Sequence, residues 1–153
     1  MVDELIGEIA NELKGLNNQA VKLISQGSFA EAEALCKRGF ETAKLLSYYD
    51  GMATFLFNLA NMEAIKGDLL KALTYGALCR EMHETAGTDL EGSDKLLGSL
   101  AKAAMKKGME HEKKGELKEA LEYYYASVPF SEEKYRLAML KEIELIEKVH
   151  ENG

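Results

Sequence analysis

The sequence predicts an all-α fold of three antiparallel helix pairs closed by a C-terminal helix. Three observations carry this. Strand-type alternation of apolar and polar residues is hard to find anywhere in the chain, and Pro129 is its one proline. A glycine followed by a polar and then an apolar residue occurs three times with matching surroundings, as Gly27-Ser28-Phe29, Gly67-Asp68-Leu69 and Gly115-Glu116-Leu117. The final stretch, "SEEKYRLAMLKEIELIEKVHENG", has helical apolar spacing with a charged outer face.

Residues 2 to 14 form an acidic amphipathic segment that is expected to run through Gly15 into the first helix of the first pair. The three pairs are placed at about 13–46, 53–86 and 93–128. Each turn glycine can adopt the left-handed conformation that closes a helix. Ser28 and Asp68 are suited to cap the following helix, and Glu116 suits the positive end of its dipole. The fifth residue after each glycine is an alanine, Ala32, Ala72 and Ala120, and the seventh before it is small, Ala20, Ala60 and Gly108. Small residues at these positions let paired helices cross closely. "AGTDLEGSD", residues 86 to 94, reads as a loop with Thr88 or Ser93 as cap. Pro129 is expected to stop the sixth helix and Ser131 to cap the last, a capping helix at about 131–150 that covers the apolar end. Seven helices in one domain, 1–153, is the expectation.

These residues resemble the tetratricopeptide repeat. The small residue, the glycine turn and the alanine recur at that family's offsets over roughly residues 13 to 128. The large apolar residue eleven before the glycine is Leu16 and Leu56 but becomes Ala104, and the apolar residue four before it is Leu23 but then Glu63 and His111. The glycines at 27, 67 and 115 lie wider apart than the standard period of about 34 residues. That spacing, with "NLANMEAIKG", is more similar to the extended repeats of the kinesin-light-chain type. The resemblance implies a right-handed superhelix whose concave face binds an extended peptide. On that face it places Lys14, Asn17, Asn18 and Val21, then Thr54, Phe57, Asn58 and Asn61, then Lys102, Met105, Lys106 and Met109.

The chemistry of that set suits a peptide. One asparagine side chain can both donate to and accept from a backbone. Lysines attract acidic side chains or a terminal carboxylate. Phenylalanine and methionine give adaptable apolar contact. In light-chain-like repeats, asparagines at the offsets of Asn58 and Asn61 contact the bound backbone. Of the residues with which carboxylate-clamp modules hold chaperone C-termini, Asn58 and Lys102 match and Lys106 stands where arginine or lysine is used. Asn17 and Val21 replace the first-repeat members, so the clamp is incomplete.

Composition excludes other classes. A net charge of −7 and a pI near 5.1 disfavour nucleic acid, because phosphate contacts need a basic face. No run approaches the roughly 18 consecutive apolar residues of a membrane helix, and the N-terminus lacks the basic start of a signal peptide. Cys36 and Cys79 form no CxxC pair and read as small buried hydrophobes, so a cytoplasmic protein without disulfides is the expectation. His83-Glu84 and His111-Glu112 share the first two residues of HExxH, but "HETAG" and "HEKKG" lack the second histidine. No P-loop, GxSxG or GxGxxG occurs. The expectation is therefore a non-catalytic module without cofactor or metal, holding a protein or peptide partner. The alternative is a self-associating structural or assembly protein, a homodimer through an apolar end around Leu5, Ile9 and Leu13.

Overall fold

The computed structural model describes residues 1–152. Among them the chain is all-helical, with seven α-helices: α1 (Val2–Ser25), α2 (Phe29–Leu45), α3 (Tyr49–Lys66), α4 (Leu69–Ala86), α5 (Glu91–Lys113), α6 (Leu117–Ser127) and α7 (Glu133–Asn152). A short 3₁₀ turn, Val128–Phe130, joins α6 to α7. Each helix packs against the next in sequence. In addition α1 touches α3, and α4 touches α6.

The turns explain this arrangement. Gly27, Gly67 and Gly115 all have left-handed φ, at 76°, 91° and 76°. Beyond each glycine the next amide reaches back a full turn: Ser28 N–H donates to Leu23 O, Asp68 N–H to Glu63 O and Glu116 N–H to His111 O, each at 2.9 Å. The last carbonyls of the outgoing helix are thus satisfied while the chain reverses. Asp68 then caps α4, accepting from the Lys71 amide at 3.1 Å. Ser28 and Glu116 make no such side-chain bond. The α2–α3 turn has the same geometry without a glycine. Ser47 takes φ 52° and the Tyr48 amide donates to Ala43 O at 2.9 Å. A break between 46 and 53 is expected from the sequence, but nothing in the residue type signals a left-handed turn at Ser47.

Three expected caps fall elsewhere. The loop before α5 is only Gly87 to Leu90, and Asp89 caps its exit by accepting from the Glu91 amide at 2.9 Å. Thr88 Oγ1 instead donates to His83 O, closing α4, and Ser93 is already inside α5, donating to Leu90 O. Ser131 Oγ donates back to Ser127 O, and the first amide bonds of α7 go to the Glu132 carbonyl. Pro129 sits within the 3₁₀ turn, two residues past the end of α6 that it helps to impose.

The core is a strip that follows the helix order. Leu13, Ala20, Ala32, Cys36, Met52, Phe55, Leu59 and Met62 fill the space between α1, α2 and α3. Leu73, Leu97, Leu100 and Ala104 join α4 to α5, and Ala120, Tyr124, Met139, Ile143 and Ile146 join α6 to α7. The small residues at the crossings, Ala20, Ala32, Ala60, Ala72 and Ala120, are all 0% exposed. Helix glycines serve the same end: a Cβ on Gly39 would enter the Phe55 ring. The apolar end expected around Leu5, Ile9 and Leu13 is only partly exposed. Leu5 is open, Ile9 is half-buried and Leu13 belongs to the core, because α2 and α3 already cover that turn of α1.

Candidate peptide groove

Asn17 of the first unit and Asn58 of the second meet between α1 and α3. Asn17 is half-buried and Asn58 is 8% exposed. Asn58 Nδ2 donates to Asn17 Oδ1, so the two asparagines tie the helices together. Beside them opens a cleft of about 320 Å³ lined by Asn11, Lys14, Asn17, Tyr48 and Thr54. Thr54 spends its hydroxyl on the Asp50 carbonyl at 3.0 Å, a bond within its own helix. Asn61, one turn along from Asn58, is half-buried. Phe57 is half-buried too, packed against Ala53, Leu56 and Cys79 at the α3–α4 interface. Asn18 and Val21 are exposed, Val21 at 49%.

The third-unit residues line two other clefts. Lys102 and Met105 border a space of about 270 Å³ with Lys95, Ser99 and Tyr135, and the Lys102 ammonium lies 5.9 Å from the centre of the Tyr135 ring. That distance is within reach of cation–π attraction. Met105 and Met109 border a space of about 410 Å³ between α5 and α7, together with Tyr124 and Met139. Lys106 is exposed outside these clefts. The predicted residues therefore line three clefts, of which Met105 borders two, and residues of the first and third units share none of them.

Sequence reasoning missed the polar end of the α5–α7 cleft. Glu112 from α5 and Glu142 from α7 both line it. Tyr124 Oη donates to Glu112 Oε1 at 2.7 Å, and burial first, then that bond, pushes the Tyr124 hydroxyl well above its ordinary range. The Glu142 carboxyl is also raised, chiefly by its hydrogen bond to Glu112 and by the charge beside it, against a smaller opposing effect of Lys141. The sequence held one signal. Gly108 is the small residue of the third unit, and Tyr124 fills the room it leaves. Which of Tyr123, Tyr124 and Tyr125 would do so was not readable from three identical neighbours.

The remaining chemical residues have local partners. The His111 ring stacks on Tyr123, with centroids 5.4 Å apart and 9° between planes, and faces Glu116 at 3.3 Å. His83 Nδ1 lies 2.9 Å from Thr88 Oγ1 and 3.3 Å from Asp50. Glu63, 1% exposed, meets Lys66 at 3.3 Å and Lys71 at 3.9 Å. Cys36 and Cys79 are buried free thiols, each pushed up to about 11, mainly by burial. Among the described residues no three His, Cys, Asp or Glu side chains converge as metal ligands, and no helix is long and apolar enough to cross a membrane.

No family model matches the chain, and no curated protein is significantly similar to it in sequence.

Proposed function

We infer that the chain is a tetratricopeptide-like interaction module. Its three helix pairs and capping α7 wind as a right-handed superhelix, and the face of α1, α3 and α5 holds an extended segment of a partner protein. The observation that carries this reading is the Asn17–Asn58 bond across α1 and α3, beside an open cleft that also holds Lys14 and Thr54. Helices one unit apart thus present their polar positions side by side. A backbone laid across them finds amide groups and open volume together. The turn geometry supports the same reading, because one left-handed reversal recurs at Gly27, Ser47, Gly67, Gly87 and Gly115 and folds successive helices back on one another.

The test is selection of peptides from a randomised display library on the purified protein, repeated on Asn61→Ala and Lys106→Glu. Neither residue takes part in the Asn17–Asn58 bond, so both variants are expected to keep the wild-type thermal melt. Peptides enriched on the wild type should be lost from both. Equal enrichment on all three proteins sinks the reading.

A second reading, self-association, has its own observation. Met1, Val2, Leu5 and Ile6 are exposed on the first turns of α1, Leu5 at 56%. Contiguous apolar exposure of that kind marks contact surfaces. Sedimentation over a concentration series separates the two: a dimer that Leu5→Glu dissociates supports self-association, and a monomer throughout removes it.

A further inference from the structure

The α5–α7 cleft combines two features that ask for different parts of one ligand. Its walls are apolar, formed by Met105, Met109, Tyr124 and Met139. At about 410 Å³ it falls within the roughly 300–1,000 Å³ of small-ligand sites. Methionine walls accept side chains of differing shape. At its end stand Glu112 and Glu142, brought together from different helices. Among the described residues the ion pairs that involve α5 or α7 are Arg80 with Asp94, Lys107 with Glu110, His111 with Glu116 and Lys148 with Glu144, and none includes Glu112 or Glu142. Two adjacent carboxylates repel, and a cation placed against both relieves that repulsion.

We propose that this cleft takes one apolar side chain of a bound peptide together with a neighbouring Lys or Arg, whose cation lies against Glu112 and Glu142. The inference rests on the groove reading, since Met105 and Met109 belong to the same α5 face. It gives this cleft a preference opposite to the one that Lys102 and Lys106 give the rest of the α5 face. Every charged or titratable group at the cleft bears on this. From α5 come Glu112 and Lys113, from α6 Tyr124, and from α7 Glu142 with Lys141 beside it. Tyr124 stays a hydrogen-bond donor and fixes Glu112. The Glu142 carboxyl is held above its ordinary value by its hydrogen bond to Glu112 and the charge beside it, and a cation against both opposes that effect. A cation favours the ionised carboxylate, so binding is expected to tighten as the pH rises through the raised Glu142 value.

The experiment uses the full chain carrying ¹³C-methyl methionine, with Met105, Met109 and Met139 reporting on the cleft. Four pools of capped hexapeptides are titrated, each with a fixed leucine followed by fixed Arg, Lys, Glu or Ser and small polar flanks. The Arg and Lys pools are expected to shift the three methyls with at least tenfold tighter apparent Kd than the Glu pool. Glu142→Lys should abolish that shift. Glu142→Gln, the milder change, should weaken it several-fold and flatten its dependence on pH. Equal shifts from the Ser or Glu pools overturn the inference and leave the groove reading intact. No shift from any pool also overturns it. The groove reading is then judged separately, by whether library-selected peptides depend on Asn61 and Lys106.

Discussion

The Tyr124 ring occupies the place where Gly108 would carry a side chain: a Cβ on Gly108 would lie 2.6 Å from the ring Cε1. Tyr124 is 1% exposed and its hydroxyl is held by Glu112, so the ring cannot swing away. In an open helix Gly→Ala gains about 1 kcal/mol, but overpacking a closed core costs about 1–3 kcal/mol. Gly108→Ala is expected to lose about 1 kcal/mol net, read by urea unfolding. A stabilised variant would show that α6 yields at this contact.

Ser47 gives the opposite expectation. Its φ of 52° is left-handed and it is exposed, so glycine relieves strain without losing packing. The left-handed conformation costs an ordinary residue roughly 1–2 kcal/mol, and the freer unfolded glycine chain takes part of that back. Ser47→Gly should raise stability by about 0.5–1 kcal/mol. Gly67→Ala, at φ 91°, should lower it by about 1 kcal/mol or more.

The Asn17–Asn58 bond gives Asn58 a structural role. Asn58→Ala removes a largely buried hydrogen bond and is expected to cost about 1–2 kcal/mol. A double-mutant cycle with Asn17→Ala should return a coupling of about 0.5–1.5 kcal/mol. Zero coupling would mean that water satisfies both amides equally well.

Glu142 makes stability depend on pH in a stated direction. Its folded value lies above that of a free glutamate. The folded state therefore holds the proton more tightly, and that contribution is present at low pH and lost as the pH rises through the raised value. Glu142→Gln removes the loss. Its Tm should exceed wild type at pH 7 and converge with it near pH 4, measured by paired thermal melts in one buffer series.

Cys36 and Cys79 should be silent toward thiol reagents in the native state. A value near 11 rather than the ordinary 9.0 leaves about 100-fold less thiolate at neutral pH. Both thiols should react with Ellman's reagent only in denaturant. Fast native labelling at either site would show local opening of α2 or α4.

Much of the helix plan was legible because it rests on local rules. Gly27, Gly67 and Gly115 announce their turns through backbone freedom, and Asp68 announces its cap through one carboxylate. The misread caps have a common cause. Thr88, Ser93 and Ser131 each spent the hydroxyl on a nearby carbonyl, while Asp89 took the capping role at α5. Serine and threonine can donate to one turn or accept from the next, and the sequence does not weigh those options. Of the groove residues, the sequence placed Asn17 and Asn58 on facing helices, but not their bond to each other.

By itself the sequence determined an all-α chain, its turn glycines and the small residues at its crossings, since periodicity and backbone freedom are encoded within a few neighbours. Tertiary structure alone decided which tyrosine fills the gap at Gly108, that Asn58 is bound to Asn17, and that Glu112 and Glu142 share one cleft. Those pairings join residues many positions apart. They depend on how α1, α3, α5, α6 and α7 are rotated against one another, which is set by the summed packing of the core and by no single residue.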